Sequence, residues 1–235
     1  MQSAWAFLFI IGIEFRFLTQ NKTMKKIYAT IAFTAMILSH VLAQEAKQIS
    51  DCAVSFDVSV QDSKADPAIV KAMSGAVKTL YIKGSKSRSD LETPGFKQTT
   101  LFDTKTDSTV VLRELGNSKY ITYLNAAQRK DKNKKYEGIH FANTTERKTI
   151  LGYDCKKVIA QLADGSTYNV YYTSAIIPTN NEYEYQFRNL PGFVLEYETE
   201  SENGKMKVKY AASKITLTPV PNAKFDVPKS GYRIL

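Results

Sequence analysis

The sequence predicts a mainly β protein built on a single antiparallel sheet with one or two short helices. Three observations predict it: a strictly alternating segment at 52–60, short strand-like runs that recur through the rest of the chain, and an Asn203-Gly204 pair between two strand-like runs near the end.

Cys52, Val54, Phe56, Val58 and Val60 share one phase of the first segment, and Ala53, Ser55, Asp57 and Ser59 the other, the pattern of a half-buried strand. Asp66-Pro67 then offers an N-cap and a first-turn proline. Ile69, Val70 and Met73 share a side and Gly75 stops the pattern, so a short amphipathic helix is expected. Strand-like runs follow at 79–82, 88–91, 99–102, 109–115 and 120–124, spaced as in an antiparallel meander. Residues 125–135 read as a second, charged helix. Strand character returns at 148–151, 155–162 and 167–173, and Asp164-Gly165 is a two-residue hairpin signal between the last two.

Asn203-Gly204 is the preferred pair for a type I′ turn joining 194–202 to 205–218. A two-residue loop fixes the register: Glu202 faces Lys205, Glu200 faces Lys207, Glu198 faces Lys209, Tyr197 faces Tyr210 and Leu195 faces Ala212. One face is then a ladder of opposite charges, each pair contributing about 0.2–1 kcal/mol, and the other is aromatic and aliphatic. A slip of one residue would carry glutamates into the core, so the register is strongly specified.

The start of the chain reads as an export signal. Met24-Lys25-Lys26 is a charged n-region, 27–42 is mostly apolar and uncharged, and Val41-Leu42-Ala43 places cleavage between Ala43 and Gln44. The run is shorter than the roughly 20 residues that span a bilayer, so no stable membrane anchor is expected after cleavage. Residues 1–23 read as an over-extended start of the reading frame, the rival being a first hydrophobic element of a two-part anchor. Residues 24–43 are then the signal and 44–235 a single β-rich domain, expected in the periplasm or, alternatively, secreted. Formal net charge is +9 over the whole chain. Charges of both signs are mixed along most of it, so a nucleic-acid partner is not expected. The dense basic run Arg129–Lys135 reads as a solvated surface turn, with a binding patch as the alternative. Cys52 and Cys155 can form a disulfide in an oxidising compartment or can stay as two buried thiols acting as small apolar residues.

Chemistry-bearing patterns are few. His140 is the single histidine beyond the leader, where a zinc site or a Ser-His-Asp arrangement needs partnered ligands. GxSxG, P-loop and dinucleotide fingerprints are absent, and no cofactor, metal or catalytic residue is expected. Glu182 and Glu184 alternate at strand spacing and read as solvent-facing. The aromatic residues, among them Phe102, Tyr171, Tyr172, Tyr183, Tyr185, Phe193 and Tyr197, either fill a core or line a cavity on one apolar face.

Asn189-Leu190-Pro191-Gly192-Phe193-Val194-Leu195-Glu196 resembles the Gly-Leu-Pro-Gly-Leu-Ile signature of the GLPGLI family of Bacteroidota, with Asn189 in place of the first glycine. Ile150-Leu151-Gly152-Tyr153-Asp154-Cys155-Lys156-Lys157 resembles a segment that precedes it in related exported proteins, and 225–228 before Gly231-Tyr232 agrees as well. The resemblance implies an exported protein similar to the periplasmic lipoprotein-carrier (LolA-like) fold: a strongly curved antiparallel half-barrel with helices against its concave side. It carries over no catalytic residue. Pro191-Gly192 and Gly152-Tyr153 are expected to fix backbone geometry at the starts of strands. Two functions follow as expectations: a non-enzymatic carrier or binder of an apolar or lipid ligand, or an envelope interaction or structural module without a ligand cavity, whose exposed strands or loops bind a protein or glycan.

Overall fold

A computed structural model describes residues 45–61, 65–200 and 206–235; the segment read as an export signal and the turn expected at Asn203-Gly204 lie outside them. In chain order the elements are β1 (Lys47–Ile49), β2 (Asp51–Val60), α1 (Pro67–Ala72), β3 (Val77–Lys83), β4 (Lys86–Thr93), β5 (Phe96–Asp103), β6 (Ser108–Leu115), β7 (Ser118–Leu124), α2 (Ala126–Lys132), β8 (His140–Ile150), β9 (Tyr153–Gln161), β10 (Thr167–Thr173), β11 (Ile176–Pro178), β12 (Phe193–Glu200), β13 (Lys207–Thr216) and β14 (Arg233–Ile234). Among the described residues no helix is long and apolar enough to cross a membrane.

Twelve strands form one open sheet in the order β14-β7-β6-β5-β4-β3-β2-β13-β12-β10-β9-β8, and β1 and β11 form a separate parallel pair. Two antiparallel runs, β2 to β7 and β8 to β12, are joined at the middle by β13, which pairs with β12 on one side and β2 on the other. The sheet is mixed rather than wholly antiparallel, because β14 pairs with β7 in parallel. The last segment leaves β13, packs over strands β5 to β7, and enters beside β7 in the same direction, with Arg233 opposite Tyr120.

β2 alternates as expected, with Cys52, Val54, Phe56 and Val58 buried. These residues define an inner face. Across β3, Lys78, Leu80 and Ile82 lie opposite Phe56, Val54 and Cys52. The main core gathers on this face, with Phe193, Leu195, Tyr197, Val170, Val158 and Tyr172 brought in by β9, β10 and β12. A second core lies on the outer face, where Leu101, Val110, Leu112 and Ile121 meet Val220 and Phe225 of the C-terminal segment. Truncating an aromatic side chain such as Phe225 would remove about 3–5 kcal/mol.

The register expected for the late hairpin is present from Glu196 opposite Ala211 to Glu200 opposite Lys207. Tyr197 stacks on Tyr210 with ring centroids 4.6 Å apart. The charge ladder is displaced by one rung: Lys209 reaches Glu196 at 3.0 Å, while the Glu198 carboxylate accepts from Asn169 Nδ2 at 2.9 Å. A long lysine reaches the diagonal neighbour as readily as the opposite one.

Three local expectations change. The loop after β9 has three residues, not two: Leu162 N–H donates to Ser166 O, and Gly165 takes φ 86°, the left-handed position of a three-residue hairpin loop. Asp66 caps α1 through Ala68 N–H at 2.8 Å, but Ile69 and Val70 stay 43% exposed, because a six-residue helix at the rim of the sheet meets no partner layer. Residues 180–190, where Glu182 and Glu184 alternate at strand spacing, form a loop with one 3₁₀ turn.

Candidate functional site

The loop at 180–190 and α2 cover part of the inner face, and the space they leave over β3 to β6 is the candidate site. Asn125 starts α2 with a capping box, accepting from Gln128 N–H at 2.9 Å and donating its own N–H to Gln128 Oε1 at 3.0 Å, worth about 1 kcal/mol. Asn180 anchors the loop: its Nδ2 donates to Ser85 O at 3.2 Å and its Oδ1 accepts Glu182 N–H at 3.0 Å. Farther along, Tyr183 stacks on Phe193 with centroids 4.9 Å apart, and its hydroxyl oxygen accepts Val194 N–H at 3.2 Å. Burial pushes the Tyr183 hydroxyl far above its ordinary range, so it stays neutral.

Arg129 ties the two covering pieces together. Its guanidinium lies over the Phe102 ring at 3.7 Å, donates to Glu182 at 2.5 Å and reaches Asp107 at 3.4 Å. Behind it, Arg188 stacks on Tyr185 at 4.0 Å and pairs with Glu137 at 3.3 Å, and the Tyr185 hydroxyl also donates to Glu137. The basic run at 129–135 is thus a helix and a turn whose first member points inward, while Lys130, Lys134 and Lys135 face solvent.

Beneath this cover sits a buried ion pair. Lys78 is 8% exposed; its ammonium pairs with Glu184, donates to the Tyr197 hydroxyl at 2.6 Å and lies 5.1 and 5.2 Å from the rings of Tyr197 and Tyr210. Burial, and then the Glu184 charge, hold the Tyr197 hydroxyl well above its ordinary range, and burial pushes Tyr210 up to about 12. Glu184 is accordingly not solvent-facing: the loop turns it onto the inner face, where the sequence alternation suggested a strand edge in water.

The remaining space is a cleft of about 280 Å³ that adjoins one of about 330 Å³, and the two share Lys78, Thr100, Thr109, Arg129, Asn133 and Tyr136. Its floor is a patch of hydroxyls. Ser87 lies opposite Phe102, which lies opposite Thr109, and Ser89 lies opposite Thr100, so the residues come from three adjacent strands at the phase that is apolar in β2. Thr109 is 5% exposed, and its Oγ1 is buried without a hydrogen-bond partner among the described residues.

Of the residues singled out from sequence, Phe102, Arg129, Glu182, Tyr183, Glu184 and Tyr185 line the cleft, while the cysteines, His140 and the glycine-containing motifs lie elsewhere. Cys52 and Cys155 are buried free thiols in the main core, pushed by burial up to about 12 and about 11 respectively. Leu151 and Gly152 both take positive φ between β8 and β9, with Tyr153 beginning β9. Gly192 precedes β12 so closely against β10 that a Cβ there would lie 2.2 Å from Thr173 O. His140 opens β8 and is exposed, and no group of three His, Cys, Asp or Glu among the described residues could hold a metal. Most of the aromatic residues, including Tyr171, Tyr172, Tyr183, Phe193 and Tyr197, fill the core, and the cleft wall mixes polar and apolar groups. Lys78 and Thr109 escaped the sequence reading, although Lys78 shares the phase of Leu80 and Ile82, a lysine where a buried side chain is due.

No curated protein matches the chain. Among solved structures, PNGF-II in space group P21 is 16% identical with TM-score 0.46 over 79% of this chain, which spans 31% of the length of that protein. An uncharacterised conserved protein from Thermus thermophilus is 11% identical with TM-score 0.46, over 86% of this chain and 98% of its own. MucB in complex with MucA(peri) is 10% identical with TM-score 0.37, over 76% of this chain and 54% of its own. Residues 68–184, from α1 to Glu184 of the buried ion pair, match the family described as a domain of unknown function, DUF4412.

Proposed function

We propose that residues 44–235 form an exported, non-enzymatic binding domain of the cell envelope, an open half-barrel that holds a small ligand between its inner face and the cover made by α2 and the loop at 180–190. The observation that carries this reading is the cleft: about 280 Å³, adjoining about 330 Å³, walled on one side by sheet and on the other by a cover fixed through ion pairs. Spaces of this size at the mouth of a curved sheet are where small ligands commonly sit. Export is supported by the charged and apolar segment at 24–43 with its small residues near Ala43, and by the GLPGLI-like residues 189–196. The wall bears on the kind of ligand. A bare acyl chain would leave Lys78, Arg129, Asn133 and the hydroxyls without water and without new partners, so a carrier of the lipoprotein-lipid kind would have to present a polar group here.

Native mass spectrometry of the protein recovered from the periplasm, with extraction of whatever is bound, tests the proposal. A stoichiometric small-molecule adduct is expected. A clean apo mass, with no uptake of a fluorescent fatty acid or of polar probes, would leave an envelope protein partner as the better account.

A further inference from the structure

Granted the cleft as a binding site, the class of its occupant follows from which polar groups are already engaged. In the compartment of about 280 Å³ the charged ones are: Lys78 with Glu184 and Tyr197, and Arg129 with Glu182 and Asp107. An ionic ligand there would have to break one of these pairs and leave its partner in poorly hydrated surroundings, which strongly disfavours it. What stays open for binding in that compartment is uncharged. Thr109 Oγ1 is the buried side-chain atom without a partner among the described residues, and it lies on the wall of both compartments. The same wall carries hydroxyls from Ser87 and Ser89 on β4 and Thr100 on β5: Ser89 and Thr100 lie directly opposite on adjacent strands, about 4.8 Å apart, and Ser87 and Thr109 flank Phe102 on the next rung. Asn133 lines the space from the cover, its Nδ2 already donating to Arg129 O at 2.8 Å and its Oδ1 able to accept.

Hydroxyls that donate and accept, gathered on one wall, complement a ligand that carries several hydroxyls of its own. A hydrocarbon would leave every one of them unpaired, and a buried unpaired polar group is penalised more than a formed bond is rewarded. We propose that the cleft binds a neutral saccharide of one or two sugar units, with the patch of Ser87, Ser89, Thr100 and Thr109 and the Asn133 amide pairing its hydroxyls beside the ring of Tyr136.

The test is an NMR titration of the protein labelled at threonine methyl groups. The probes are a panel of neutral sugars (glucose, mannose, galactose, N-acetylglucosamine, maltose and cellobiose), with sodium laurate and sodium phosphate as apolar and anionic controls. At least one sugar should shift the Thr100 and Thr109 methyls and saturate. Thr109→Val, which removes one hydrogen bond at constant volume, should weaken that sugar about fivefold while leaving the fold intact. Shifts with laurate or phosphate and none with any sugar would overturn the saccharide assignment and leave the cleft as a site of another class. Silence from every probe would overturn both. A sugar whose affinity is unchanged in Thr109→Val, or whose shifts fall away from the cleft, would also refute it.

Discussion

The ion pair beneath the cover sets the sharpest stability prediction. Lys78 is 8% exposed and the Glu184 side chain 9%, so each charge depends on the other. At an effective dielectric near 20 a close pair is worth about 4 kcal/mol of Coulomb energy, and removing one member of a buried pair leaves the other uncompensated, for a total of about 3–5 kcal/mol. Lys78→Met and Glu184→Leu should each lose that much, a large part of the roughly 5–15 kcal/mol of a domain. In urea, with a slope of about 2–3 kcal/mol/M, the midpoint should fall by about 1–2.5 M, followed by far-ultraviolet circular dichroism because Trp5, the one tryptophan, lies outside the described residues. The double variant should recover most of the loss, since two apolar side chains leave no orphaned charge. A loss below about 1 kcal/mol in either single variant, or a double variant that loses the sum of the two, would refute this dependence of each charge on the other.

Gly192→Ala should destabilise by about 3 kcal/mol or more, seen as a fall in Tm, because its Cβ would meet Thr173 O, a backbone atom that cannot swing aside; an unchanged Tm would show that the close approach of β10 and β12 is dispensable. Acid should loosen the C-terminal segment. Glu114 is held below its ordinary range by the Tyr232 hydroxyl and then by Lys119, and Asp51 by Lys83 and the Val220 N–H in spite of burial, which works the other way. Carboxylates lowered on folding add stability that is present above their unfolded values, about 3.9–4.3, and is lost as pH falls through the folded ones. Tyr232→Phe should therefore lower stability at pH 7 and flatten the acid limb of the unfolding curve, and an equal deficit at pH 7 and pH 2 would contradict this. Both thiols should be inert to Ellman's reagent at pH 8 in the folded protein and should give two equivalents after unfolding without reductant; no thiol released on unfolding would mean that Cys52 and Cys155 are bonded.

Much of the sheet can be read in the sequence because its signals are local. Alternation places Cys52, Val54, Phe56 and Val58 on one face, and the Asn-Gly pair sets Glu200 opposite Lys207 even though the turn itself lies outside the described residues. What escapes is long-range. No local pattern says that residues 220–234 will pack over β5 to β7 and join β7 in parallel, since Arg233 and Tyr120 are far apart in the chain. The alternation of Glu182 and Glu184 belongs to a loop whose direction is set by Asn180 and by the Tyr183–Phe193 stack. Within the candidate site, Lys78 stood at a buried phase and Ser87, Ser89, Thr100 and Thr109 at the phase shared with Leu80 and Ile82, yet only strand order gathers those hydroxyls around Phe102.

The place of β13 also governs the order of assembly. It is the last long strand in sequence and the seam of the sheet, joining Val60 to Val208 and Tyr197 to Tyr210. Two meanders can form from neighbouring hairpins, but the sheet cannot become continuous until residues 207–216 arrive, and closing so distant a pairing is slow. Pulse-labelled hydrogen exchange should find the amides between β2 and β13 protected last. A chain threaded through a membrane from its N-terminus would thus withhold its final architecture until nearly all of it had crossed.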